Sequence, residues 1–222
     1  MATGKAFTRA ADASLVDAAT RTVSFATEDG GTVCGDLYGS GERGVVLAHG
    51  GRFNKESWAT QGRALAEAGF HVLAVDLRGY GCSKGPGAAE PMSAPLHFDV
   101  AAAVRYLRDA GAKTVSAVGG SMGGEPAATV ASRAGAIHRL VLLGSTPDGD
   151  PQQLKAPVLF LMARDDANDD GPRLPGLRAY YDKAPEPKEL IVLDGSAHAQ
   201  FLFETEHAAR VMRAILEFLS SP

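Results

Sequence analysis

The pentapeptide Gly119-Gly120-Ser121-Met122-Gly123 constrains this chain more than any other feature, because of what flanks it. The apolar run Thr114 to Val118 precedes it, and an Ala-rich helical run from Pro126 to Arg133 follows. A G-x-S-x-G segment in that setting reads as a nucleophilic serine on a sharp strand-to-helix turn. Such a turn strains the backbone and brings strand and helix close together, and flanking glycines relieve the crowding. It also sets Ser121 at a helix N-terminus, where free N–H groups and the helix dipole favour an oxyanion, with the Met122 N–H as one donor. A glycine-rich βα loop with a capping serine would carry the same letters, so the rest of the chain has to decide.

Alternating strand and helix signals surround the motif. Val23 to Thr27 and Thr32 to Leu37 alternate around Asp29-Gly30-Gly31, the pattern of an antiparallel hairpin. Gly44 to Ala48 is nearly continuously apolar, as in a strand covered on both faces. Further strands are expected at Val72 to Val75, Leu140 to Leu143, Val158 to Met162 and Leu190 to Leu193. Helices are expected at about Glu56 to Ala68, Pro95 to Ala110 and Leu177 to Lys183, with an amphipathic one closing the chain at Thr205 to Leu219. A hairpin followed by repeated β–α units implies an α/β fold with a mostly parallel central sheet, an antiparallel start and helices on both faces. Sites in such sheets form beyond the carboxyl ends of the strands. His49-Gly50-Gly51, Ser121, the acidic run after Met162 and Gly195 to His198 all follow strand ends and converge on one edge.

Composition narrows the function classes. The 222 residues are 45% hydrophobic, enough for one full domain over 21–222 with residues 1–20 as an extension. A net charge of −4 with no Lys/Arg-rich block argues against nucleic acid or an acidic membrane surface as a partner. No signal-peptide pattern opens the chain, and no apolar run approaches the ~18–20 residues that span a bilayer. Cys34 and Cys82 are too few for a disulfide framework and read as two free thiols in a reducing, cytoplasmic setting.

Taken together, the chain resembles the α/β-hydrolase family from Val23 to Leu219. The resemblance rests on an H-G-G loop at His49 to Gly51, a D-x-R-G-x-G-x-S segment at Asp76 to Ser83, the Ser121 elbow, an acid after the penultimate strand and a histidine after the last. It implies the order nucleophile, acid, histidine, met by Ser121, Asp166 and His198. His198 would take the Ser121 proton on attack and return it to the leaving group, while the carboxylate fixes the imidazole tautomer. The family's register, an acid three residues after the strand end, selects Asp166, with Asp165 second; Ala163 stands where relatives carry glycine. Gly51 is implied as the second oxyanion donor beside Met122, with Arg52 the fallback. His49 resembles the structural histidine of the oxyanion loop, and His97 could line the cleft.

Asp166, Asn168, Asp170 and Gly171 also match the opening positions of an EF-hand calcium loop. That match fails at position twelve, where Leu177 replaces the bidentate glutamate, so no metal is expected. The short stretch Pro147 to Lys155 leaves no room for a helical cap domain. The resemblance therefore implies an uncapped serine hydrolase, similar to small carboxylesterases, thioesterases and dienelactone-hydrolase-like proteins, acting on a small ester or thioester without metal or organic cofactor. An acyltransferase, deacylase or perhydrolase using the same three residues is the alternative, and a non-catalytic binding protein is a third reading.

Overall fold

The computed structural model describes residues 20–221. Except for Thr20, the 1–20 extension lies outside the described residues. The chain opens with β1 (Arg21–Ala26) and β2 (Thr32–Tyr38), then β3 (Arg43–Ala48), a 3-10 turn (Lys55–Trp58), α1 (Ala59–Glu67) and β4 (His71–Val75). There follow α2 (His97–Asp109), β5 (Thr114–Gly120), α3 (Gly124–Ala131), β6 (Leu140–Leu143) and β7 (Val158–Ala163). A small ribbon of β8 (Ala167–Asn168) and β9 (Gly171–Pro172), then α4 (Leu174–Lys183), β10 (Lys188–Leu193) and α5 (Ala208–Ser220) complete it.

Eight strands form one sheet in the order β1-β2-β4-β3-β5-β6-β7-β10. The hairpin pairs antiparallel with Val23 opposite Gly35, and β2 meets β4 antiparallel; every remaining pair in this sheet is parallel. The continuous apolar runs of β3 to β7 follow from burial on both faces. Leu107, Val130 and Leu177, from α2, α3 and α4, pack into one core, while Leu65 and Ile215, from α1 and α5, pack into a second. Burying one Leu or Ile side chain contributes ~1.5–3 kcal/mol, so two such layers hold the sheet rigid beneath the loops at its carboxyl edge.

Expected element positions are met within a few residues, and four details differ. The helix expected from Glu56 begins instead as the 3-10 turn Lys55–Trp58, and the closing helix starts only at Ala208, after a 3-10 stretch Ala199–Glu204. The acidic segment folds into the β8–β9 ribbon, where Asn168 Oδ1 accepts the Asp170 N–H at 3.2 Å.

The fourth difference concerns the cysteines, where the free-thiol expectation is corrected. Cys34 in β2 and Cys82 in the loop after β4 are joined in a disulfide with Cα atoms 5.8 Å apart, inside the spacing such bonds require. The two lie 48 residues apart in sequence, and the β2–β4 pairing together with a Thr32–Lys84 bridge brings them together. The argument for a reducing compartment, which rested on free thiols, falls with that reading. Among the described residues no helix is long and apolar enough to cross a membrane.

Candidate active site

The turn after β5 is as tight as the pentapeptide demands. Ser121 itself has φ 46°, a left-handed backbone that non-glycine residues rarely adopt. A side chain at Gly119 would come within 2.5 Å of the Gly123 carbonyl oxygen, and one at Gly123 would strike the Ala48 carbonyl on β3. The crowding fixes the serine at the sheet's carboxyl edge, one 3-10 turn ahead of α3.

Two loops bring partners to it. His198 follows β10, and its Nε2 lies 2.7 Å from Ser121 Oγ. Asp166 follows β7, and its Oδ2 lies 2.7 Å from His198 Nδ1. A carboxylate only accepts, so the imidazole proton sits on Nδ1 and Nε2 offers a lone pair to the serine hydroxyl. Of the run Asp165, Asp166, Asp169 and Asp170, only Asp166 is buried, at 1% exposure, while the other three face solvent. The 166 register therefore sits with the histidine and Asp165 does not. Ala163 in place of glycine is accommodated by a turn in which the Asp166 N–H donates to the Ala163 carbonyl.

The loop after β3 forms the opposite wall. His49 is fully buried; its Nδ1 bonds the Gly50 carbonyl at 2.9 Å and its Nε2 accepts the Leu77 N–H at 3.1 Å, so it is neutral with the proton on Nδ1. Burial pushes its pKa down, in keeping with that state. The Gly50 N–H donates to Gln200 Oε1 at 2.7 Å, and the Tyr80 hydroxyl donates to the Gly51 carbonyl at 2.8 Å. Gly50 is thereby occupied. Gly51, Arg52 and Met122 line the same cleft as Ser121 and His198, a space of about 220 Å³ that also takes in Phe53, Met92, Arg173 and Phe201.

Sequence reasoning missed Gln200, Tyr80 and Arg173. Gln200 is buried and bridges the loop after β3 to the loop that carries His198, donating also to Ser57 Oγ at 2.5 Å. A polar residue two positions after His198 was the available signal, but nothing in the chain distinguishes it from a surface glutamine. Arg173 Nε stands 3.5 Å from Asp166 Oδ1.

Beneath the site, the D-x-R-G-x-G-x-S segment acts as a brace. Arg78 is fully buried and its guanidinium bonds Asp99 Oδ1 at 2.7 Å and Asp29 Oδ2 at 2.5 Å. The Arg78 bonds hold the Asp29 carboxyl down at about 2. Ser83 Oγ donates to the Asp76 carbonyl and accepts the Cys34 N–H, which ties this loop to β2. His97 lines a second cleft of about 300 Å³ with Glu125 and Asp148, separated from the first by Met92 and Met122, which line both. Trp58 is core, packed edge-on to Phe203. Between β6 and β7 the connection holds only a 3-10 turn, Pro151–Gln153.

A sequence model described as the alpha/beta hydrolase fold matches residues 44–206, most of the chain. The chain belongs to the α/β-hydrolase-fold family. Within that family it is 36% identical over 134 residues to a pimeloyl-[acyl-carrier protein] methyl ester esterase of Sodalis glossinidius, covering 57% of this chain and 48% of the relative. It is 35% identical over 114 residues to a non-heme haloperoxidase of Rhodococcus erythropolis, covering 50% and 39%. The chain thus spans less than half the length of either relative. An esterase of Pyrococcus furiosus shares the fold at a TM-score of 0.74 and 19% identity, covering 91% of this chain and 94% of the other.

Proposed function

We propose that this α/β hydrolase cleaves a small carboxylic ester or thioester through an acyl-Ser121 intermediate. The observation that carries the reading is the unbroken chain Ser121–His198–Asp166, two contacts of 2.7 Å in a water-accessible cleft. Ser121 Oγ attacks the carbonyl carbon while His198 Nε2 takes its proton. The negative charge that develops on the carbonyl oxygen is met by the N–H groups of Gly51 and Met122 at the start of the elbow; one such donor is worth ~3 kcal/mol. The carbonyl carbon's bond to the leaving oxygen or sulfur then breaks, and His198 returns the proton to the leaving alcohol or thiol. Water enters, loses a proton to His198 and adds to the acyl carbon, and Ser121 departs with that proton. Asp166 keeps the imidazole in the required tautomer and stabilises it when charged.

The open cleft and the relative named a haloperoxidase also favour acyl transfer to an amine, alcohol or peroxide in place of water. Hydrolysis of p-nitrophenyl esters from acetate to octanoate, by the intact protein and by Ser121→Ala, tests the main reading. Turnover absent from the variant supports it. Added acceptors that divert the acyl group from water would favour transfer, and turnover that survives Ser121→Ala would overturn both.

A further inference from the structure

The cleft around Ser121 carries an uneven charge. Arg52 follows directly on Gly51, and its Cζ sits 5.9 Å from the Phe201 ring centroid, a cation over the aromatic wall of the cleft. Arg173 lines the same cleft, beside Asp166. Among the described residues no Asp or Glu side chain lines this cleft, and the carboxylate behind it, Asp166, offsets one of the two guanidinium charges while also bonding His198. Arg173 Nε is buried without a hydrogen-bond partner, and among the described residues Arg52 has no ion pair. The neighbouring cleft beyond Met92 and Met122 is opposite in sign, lined by Glu125 and Asp148.

We infer that the ester this site takes carries an anionic group, a carboxylate or a phosphate, held between Arg52 and Arg173, with its uncharged portion directed past Met92 toward the Glu125 side. Planar guanidinium groups pair with carboxylate and phosphate oxygens two at a time, and an apolar cleft wall strengthens that attraction. Glu125 and Asp148 repel the same anion, which fixes the orientation of the substrate as well as its charge. This inference rests on the serine-hydrolase reading of Ser121.

The test uses two matched pairs of esters, one with the charge on the acyl side (p-nitrophenyl hemiadipate against p-nitrophenyl adipamate) and one with it on the leaving group (3-acetoxybenzoate against 3-acetoxybenzamide). At least one anionic member should exceed its uncharged amide by ~10-fold in kcat/KM, mostly through KM, as expected for a charge-assisted contact. Raising ionic strength from about 0.02 M to about 0.5 M should shrink that ratio. Arg52→Gln and Arg173→Gln should each shrink it too, and Arg52→Lys should shrink it less than Arg52→Gln; the ratio is read because Arg173 also neighbours Asp166. Equal or reversed preference in both pairs, with Ser121-dependent turnover of the amides intact, overturns the anion site alone. So does a preference that neither arginine substitution alters. Absence of Ser121-dependent turnover with all four esters overturns the hydrolase reading and this inference with it.

Discussion

Gln200 and Gly50, 150 residues apart in sequence, are joined by a 2.7 Å hydrogen bond from the Gly50 N–H to Gln200 Oε1. That bond locks the loop that presents Gly51 to the loop that presents His198. Replacing Gln200 with Leu leaves the Gly50 N–H buried without an acceptor, which costs about 1–3 kcal/mol locally. We expect kcat to fall ~10-fold with KM changed less than threefold, since the loop's task is realised in the transition state. Steady-state kinetics on one p-nitrophenyl ester checks it; a rise in KM alone would mean the bridge serves binding.

The acidic run provides a sharper discrimination. Asp166→Asn keeps the shape of the carboxylate but lets the side chain donate to His198 Nδ1, which turns the imidazole to the wrong tautomer; kcat should drop ~10³–10⁴-fold. Asp165→Asn, at an exposed neighbour, should stay within about twofold, as surface substitutions do. Comparable losses in both variants would refute the assignment.

The Arg78 brace predicts how stability responds to acid. Arg78 holds the Asp29 pKa at about 2, below its ordinary 3.8, so the contribution is complete above about pH 4 and is lost as pH falls toward 2. Asp29→Asn should lower unfolding free energy at neutral pH by on the order of 1–2 kcal/mol, with the gap to the parent closing below about pH 3. Arg78→Met leaves the fully buried Asp99 and the partly buried Asp29 without their cation and should cost about 3–5 kcal/mol. Urea unfolding across pH measures both.

The Cys34–Cys82 bond encloses a 48-residue separation, so reduction or Cys34→Ser/Cys82→Ser should lower stability by about 2–4 kcal/mol. Alkylation of the denatured, unreduced protein should find neither thiol free. Two alkylated cysteines before reduction would contradict the bond.

Much of this site was legible because its chemistry is written in short stretches. Ser121 is announced by its glycines, and His198 and Asp166 by their places after strands, since an α/β sheet brings strand ends to one edge whatever its helices contain. The contacts that set the cleft's shape and charge are of another kind. Gln200, Tyr80 and Arg173 act across loops whose approach depends on three-dimensional strand order, and none carries a spacing of its own. The Cys34–Cys82 bond was hidden for the same reason: pairing of β2 with β4 and the bridge of the following loop back to Thr32, rather than any local pattern, make the two cysteines neighbours. The helix expected from Glu56 opens as a 3-10 turn, and the one expected from Thr205 begins three residues later because Thr205 Oγ1 accepts the His207 N–H in a turn ahead of it.

The central claim is that Ser121 becomes acylated. Rapid mixing with p-nitrophenyl acetate, an acid quench and intact-mass analysis followed by peptide mapping tests it most directly. The account predicts a burst of p-nitrophenol matched by one acetyl group per chain, located on Ser121 and absent from Ser121→Ala. Steady release of product with no acetyl group on Ser121, or an acetyl group on another residue that tracks turnover, would contradict it.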